Sequence, residues 1–486
     1  MRTRLAAAVV AICLLTGLLA AAPAWSETAS SPLAPAAGSE PIALGFNQDW
    51  GTQAPLDLLL DDVALRQLAE LGAGTIRLPV GCWHVGACAY GDRYDDDRDF
   101  GAVGSWDFTA LDAAIDHLHD NGFEVIVAPH PGDRMFRPGW IVVDRHYRST
   151  AAYLEAIVSH LDVRYGPMAY SFFETELDTS ERTEADGTVS YRYAADGDEI
   201  RSRWQGWLRD RYATLPALRA AHAAKYRGWA DVPLPVLGSS AGVPQGIYGT
   251  AAAADLRAFL GDDAAARYNA LGALVHERSP GSEWWGPTVN LQSLHTERGT
   301  HLASDLTAVG PTLSDLASQP EIDVLSVDGY RSWSISEAWR AAADWKVAAK
   351  VAAEHGKQVA IVELGAPTSA RLVNAFLGAD AGAENLRAVL LWQARDRPNA
   401  AEAGFGYFDV HGIARAERAG FVRWVFDRLG APGRAVYTPG TTPMAYREHL
   451  LQPVLAQDLR IVQDIEAIAT AMASGMDVEP IVGPDR

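Results

Sequence analysis

From Pro41 onward the chain alternates two periodicities of hydrophobic and polar positions. Short runs of β-branched, aromatic and aliphatic residues predict buried strands. They fall at Ile42 to Asn47, Thr75 to Val80, Glu124 to Pro129, Ala169 to Glu176, Trp284 to Asn290, Val324 to Tyr330, Val359 to Leu364 and Ala388 to Gln393. Between them, apolar residues recur every three or four positions and predict amphipathic helices. These cover Leu56 to Leu71, Phe108 to Asn121, Thr150 to Tyr165, Leu256 to Arg278, Ser336 to His355 and Ala370 to Leu377. Strands alternating with helices imply parallel βαβ units, and eight units closing on themselves make an α/β fold, the (β/α)8 TIM barrel. Reactive residues then belong at the carboxyl ends of the strands. A doubly wound open sheet is the alternative, but no Gly-rich phosphate loop follows any strand.

Two stretches exceed a minimal barrel. Asp178 to Pro235, after the fourth strand, carries polar loop sequence and then a helical insertion. Trp204, Trp207, Leu208 and Tyr212 recur there at helical spacing, as packing residues do. The tail from Gln452 reads as helical through Met472, and its last ten residues as unstructured. The resulting organisation is a signal peptide at 1–26, a flexible leader at 27–40, a barrel at 41–430 and a C-terminal helical extension at 431–486.

The amino terminus changes the picture of where the protein works. Arg2 and Arg4 precede the apolar stretch Leu5 to Ala22, and small residues then permit cleavage after Ala24 or Ser26. This predicts a secreted or periplasmic protein; an uncleaved anchor is the alternative. No second apolar run of that length follows. The formal net charge of −20 repels nucleic acid and anionic membranes and favours a neutral ligand. The acidic run Asp95-Asp96-Asp97 reads as a solvated loop, with calcium binding as the rival. Of three cysteines, Cys13 lies in the signal, leaving Cys82 and Cys88 six apart in GCWHVGAC. In an oxidising compartment this pair predicts a disulfide, whereas Cys82, His84 and Cys88 are too few ligands for a structural metal. No cofactor or metal is implied.

The chemistry concentrates in two glutamates at the ends of predicted strands four and seven. Glu176 lies in MAYSFFETELD and Glu363 in KQVAIVELGAP. Two rim carboxylates from distant strands are what glycosidic bond cleavage requires, one as proton donor and one as nucleophile or base. Glu174 faces the same way as Glu176, because side chains alternate along a strand. Two like charges on one face favour keeping one protonated, the state a proton donor needs. A support behind the site is the other role open to Glu174. No G-x-S-x-G elbow or H-E-x-x-H motif is present, and His117 and His119, two apart on a predicted helix, cannot share a face.

At these residues the chain resembles clan A glycoside hydrolases, and within them the family 42, β-galactosidase-like barrels. SFFETELD stands where the clan carries its acid/base glutamate and AIVELG where it carries its nucleophile. The segment WLRDRYATLPALRAAHAAKYRGWADVPLP is similar to that family's region after strand four. The resemblance spans Pro41 to Leu429 and implies a (β/α)8 barrel and a retaining mechanism. Arg77 in TIRLPV resembles the arginine that keeps the nucleophile ionised, Tyr330 in SVDGY the tyrosine beside it, and Trp392 in LLWQAR the tryptophan beneath the sugar. One departure stands out. Family members resemble Asp-Asn-Glu where this chain has Glu174-Thr175-Glu176, so Thr175 replaces the asparagine that contacts the 2-hydroxyl.

Beside these, His130 in VIVAPHP and Asn290 in PTVNLQ end strands three and five and are positioned to meet sugar hydroxyls. Trp83, Trp140, Trp284, Trp285 and Trp333 sit at or after strand ends, as further sugar platforms or as packing. The sequence therefore predicts a secreted retaining glycosidase acting on a neutral glycan or glycoside, its partner a carbohydrate substrate, with Glu363 the nucleophile and Glu176 the acid/base. The alternatives are a carbohydrate-binding barrel with weakened turnover, for which Thr175 argues, and a transglycosylase or exopolysaccharide-trimming enzyme.

Overall fold

The structure is a computed structural model and describes residues 42–48, 60–88, 100–130, 141–142, 144–172, 181–183, 189–191, 197–233, 251–290, 313–329, 348–365, 385–396 and 406–428. Eight parallel strands run through it: β1 (Ala43–Asn47), β2 (Thr75–Gly81), β3 (Glu124–His130), β4 (Ala169–Phe172), β5, β6 (Val324–Gly329), β7 (Gln358–Gly365) and β8 (Leu386–Trp392). The fifth is interrupted at Thr288, and this break closes the ring. Its first part, Glu283–Pro287, pairs with β4, while Val289–Asn290 pairs with β6. The remaining pairs run in sequence through β4, β3, β2, β1, β8, β7 and β6, all parallel. This closure rules out the doubly wound sheet. Each predicted strand is present to within two residues at its start; the predicted end of β4, with Glu174, Thr175 and Glu176, lies outside the described residues.

Alternation along the strands divides the core in two. Ile126, Trp285, Val324, Ala360, Val362, Ala388 and Leu390 form one cluster drawn from strands alone, which is the barrel interior. Their neighbours in the strands, among them Leu44, Ile76, Val127, Tyr170, Val327, Ile361 and Val389, bury against the surrounding helices. Both faces are dry, which is why the strands read as near-continuous apolar runs. Gly45 marks the closest approach: a Cβ there would lie 1.7 Å from the Thr75 carbonyl oxygen, so no side chain fits between β1 and β2 at that level.

The helices follow their predicted faces, with three shifted starts. Helix α1 (Asp62–Leu71) buries Leu65, Leu68 and Leu71, and begins later than Leu56 because Asp61, in extended conformation, caps it by accepting from the Ala64 amide at 2.8 Å. Helix α2 covers Thr109–Asp120 as predicted. Helix α3 (Asp144–Tyr165) starts six residues before Thr150, its first turn held by ion pairs from Asp144 to Arg203 and Arg267. After β4 come an antiparallel hairpin (Glu181–Thr183 with Val189–Tyr191), α4 (Gly197–Tyr212) and α5 (Leu215–His222). Helix α6 (Ala251–Arg278) starts in an Ala-rich turn five residues before Leu256, as high helix propensity allows. Among the described residues, helices α7 (Leu313–Ala317) and α8 (Ala416–Arg428) follow, with residues 348–354 also helical.

The insertion is clamped to α6. Trp204 and Leu208 are fully buried, Trp204 stacks on Trp207 at 5.8 Å between centroids, and both meet Phe259. Buried Asp255 of α6 accepts from Tyr212 Oη at 2.6 Å, bonds His222 Nε2 at 2.8 Å and pairs with Arg211 at 3.0 Å. These aromatics are packing residues. The predicted signal, leader, Ala370 to Leu377 helix, Asp95 to Asp97 loop and C-terminal extension lie outside the described residues. No helix among the described residues is long and apolar enough to cross a membrane.

Candidate active site

Parallel strands all end at the same rim of a barrel, so a polar residue near the carboxyl end of one meets those of the others. Glu363 is two residues from the end of β7 and only 2 % exposed. The register slips here: Ile361 aligns with Val327, but Glu363 aligns with the next residue of β6, Asp328. One extra residue, Val362, is thus accommodated on β7. Val362 lines the interior, and the slip turns Glu363 inward after it, where a regular strand would have faced it to the helices.

Across the lumen, Arg77 of β2 is fully buried and donates from Nη1 to Glu363 Oε1 at 3.0 Å. The same nitrogen donates to Asn47 Oδ1 at 2.9 Å, and Asn47, the last residue of β1, donates from Nδ2 to the Val362 carbonyl at 2.5 Å. Arg77 Nη2 lies 3.5 Å from Thr288 Oγ1, at the break in β5. Side chains of β1, β2, β5 and β7 therefore meet at Arg77. A guanidinium at this distance, away from water, favours the ionised form of the acid and fixes its direction. Asn47 matters twice, since it orients Arg77 and also ties β1 to the slipped part of β7.

Trp392 ends β8, in register with Gly365 and 3 % exposed, and the following peptide to Gln393 is cis. Beyond it the chain folds back. Tyr407 and Phe408 amides donate to the Gln393 and Ala394 carbonyls, and the Ala394 amide donates to the Asn47 carbonyl at 2.8 Å. Trp392 is thereby held beside the end of β1. His130 ends β3 in register with Gly81, and Asn290 ends β5 in register with Asp328. The backbone brings both to the same rim as Glu363; their side chains, with Glu174, Thr175, Glu176 and Tyr330, lie outside the described residues.

For two tryptophans the packing alternative holds. Trp284 and Trp285 stand at the start of β5, the end away from Glu363. Trp284 is fully buried against Phe172, with Nε1 donating to the Tyr268 carbonyl at 3.0 Å, and Trp285 plugs the lower barrel and donates to Glu283 at 2.8 Å. Both are packing residues, because they open β5 and so stand at the buried end of the barrel away from Glu363. Trp83 is engaged with His84 at 2.9 Å; Trp140 and Trp333 lie outside the described residues. Cys82 and Cys88 are joined by a disulfide with Cα atoms 5.4 Å apart, closing the 3-10 turn Cys82–Val85 after β2. Among the described residues no three His, Cys, Asp or Glu side chains converge so as to hold a metal ion.

The sequence reading missed Asn47, Thr288 and Asp328 as members of the site. Their signal was available, since each is a polar residue inside or closing an apolar strand run.

No protein-family model matches the chain, and no curated protein matches it in sequence. Solved structures do match in fold. The catalytic domain of β-amylase from Paenibacillus polymyxa superposes with a TM-score of 0.55 at 12% identity, over 80% of this chain and 100% of that one. A β-galactosidase from the psychrophilic Marinomonas ef1 gives 0.54 at 13% identity, over 79% of this chain and 59% of that one. A catalytic mutant of Gan42B, a GH42 β-galactosidase from G. stearothermophilus, gives 0.54 at 15%, over 82% and 59%. This chain spans about three fifths of the length of those two β-galactosidase chains. The (β/α)8 barrel expected from the alternating strands and helices is the fold that the comparison returns.

Proposed function

We propose that the protein is a secreted retaining glycoside hydrolase acting on a neutral glycan or glycoside, β-galactosidase-like in its barrel. The observation that carries this reading is the buried Glu363–Arg77–Asn47 array at the carboxyl end of the barrel. An ionised carboxylate kept away from water and aimed by a fixed guanidinium suits a nucleophile. Glu363 attacks the anomeric carbon and forms a glycosyl ester, while Glu176 gives its proton to the departing oxygen. Glu176 then takes a proton from water, which attacks the same carbon and releases Glu363. Trp392 offers an apolar face for the sugar ring, and His130, Asn290, Thr175, Glu174 and Tyr330 supply polar contacts around it. The signal-like start and the disulfide support export, and the acidic surface suits an uncharged substrate.

The test is turnover on a panel of aryl glycosides and soluble polysaccharides. Glu363→Gln keeps shape and hydrogen bonding but removes the attacking anion, so the rate falls by several orders of magnitude with little change in ligand affinity. Near-wild-type turnover by that variant sinks the assignment. Thr175 favours one second reading, a carbohydrate-binding barrel with weakened turnover; binding of a glycan that wild type does not cleave would establish it.

A further inference from the structure

Glu363 does not stand alone as a buried carboxylate at this end of the barrel. Asp328 on β6 is fully buried, and its Cα is the register partner of Glu363 on one side and of Asn290 on the other. Alternate residues of β6 show which way it faces. Val324 belongs to the barrel-interior cluster and Ser326 Oγ donates to the Trp285 carbonyl, so the next alternate position, Asp328, also faces the lumen. Registered residues on adjacent parallel strands share a face, and the strands lie about 4.8 Å apart. Asp328 is therefore an immediate neighbour of Glu363 in a dry, narrow space.

Burying a carboxylate there is costly for the fold. A valine or leucine would fill the position without the cost of burying a carboxylate. The chemistry of the site does offer a reason. Arg77 and Glu363 form an ion pair whose charges largely cancel at a distance. The proposed reaction passes through a state with positive charge developing on the anomeric carbon and ring oxygen. A neutral pair stabilises that cation weakly, while a further fixed negative charge stabilises it strongly in a water-poor site.

We propose that Asp328 is a positioning residue that acts beside Glu363, restoring the negative field that Arg77 would otherwise neutralise and so favouring the cationic transition state. The inference rests on the reading of Glu363 as nucleophile. It predicts a charge-selective defect, which a packing role does not.

The experiment compares wild type, Asp328→Asn and Glu363→Gln, each first checked for an intact fold by circular dichroism. Two measurements are made: kcat and KM on 4-nitrophenyl β-galactoside, or on the aryl glycoside of the panel that wild type cleaves if not that one, and calorimetric affinity for two ligands shaped like the sugar cleaved. One ligand is an iminosugar protonated at the anomeric position, and the other is the uncharged lactam of the same ring. Asp328→Asn should lower kcat roughly 10- to 100-fold with KM within about threefold. Iminosugar affinity should fall by a similar factor and lactam affinity should hold. An equal loss for both ligands, or no loss for either, overturns the role of Asp328. If Asp328→Asn is unimpaired while Glu363→Gln is inactive, only this inference fails. If wild type cleaves nothing in the panel, or Glu363→Gln turns over normally, the parent reading fails and this one falls with it.

Discussion

Replacing Arg77 by methionine tests the central array. The side chain is fully buried and makes bonds of 3.0 Å to Glu363 and 2.9 Å to Asn47. Methionine nearly matches its length and fills the channel, so the cavity contribution is small. What remains is a carboxylate left without its counter-charge in the lumen, and an asparagine oxygen left without its donor. Removing one partner of a buried ion pair costs about 3–5 kcal/mol, and an orphaned buried acceptor about 1–3 kcal/mol more. A protein of this size loses about 1.2 °C in Tm per kcal/mol. The expected fall is roughly 5–10 °C. Because the cost lies in the stranded charge, neutralising it should restore stability. The double variant Arg77→Met/Glu363→Gln should be more stable than Arg77→Met alone by about 1–3 kcal/mol. Urea unfolding of wild type, both single variants and the double, followed by circular dichroism at pH 7, measures this cycle. A loss below about 1 kcal/mol for Arg77→Met, or additive single effects, would refute the claim that an ion pair organises the site.

Three further outcomes are expected. In a crystal structure with a glycoside bound, the Glu176 and Glu363 carboxyl carbons should lie roughly 5–6 Å apart, the retaining separation; beyond roughly 8 Å the retaining mechanism is lost. Thiol titration of the denatured secreted protein should find no free cysteine, and reducing the Cys82–Cys88 bond should cost about 2 kcal/mol for so short a loop; two reactive thiols in the unreduced protein would defeat this. His276 on α6 bonds Glu321 and Asp323 at 2.9 Å each; burial disfavours its proton, but the two acids outweigh that and raise its pKa above the usual histidine value. Its contribution to stability is then fully present below pH of about 6.5 and lost as pH rises through the raised folded value. The Tm gap between wild type and His276→Gln should therefore narrow from pH 6 to pH 9; a constant or widening gap contradicts the pairing.

Eight apolar runs separated by amphipathic helices were enough to specify the barrel, because strands dry on both faces leave continuous hydrophobic segments and each helix leaves a stripe. The Cys82–Cys88 pair and the packing role of Trp204 and Leu208 were legible for similar reasons, namely short spacing and helical recurrence. Glu363 and Arg77 were legible as charges inside apolar runs. Their pairing was not, since 286 residues separate them and only ring closure sets β2 opposite β7. Nor does the sequence show the register slip at Val362 that turns Glu363 inward, because strict alternation would have faced it the other way. Asn47 and Asp328 stood out as polar residues at strand ends, but such residues acquire a role only from whichever strand lies beside them. The sequence also left Trp284 and Trp285 open between sugar platforms and packing, and their burial beside β4 at the start of β5 decides for packing. Local pattern determines which elements form, whereas the lateral order and stagger of the strands decide which side chains meet, and those are properties of the closed barrel.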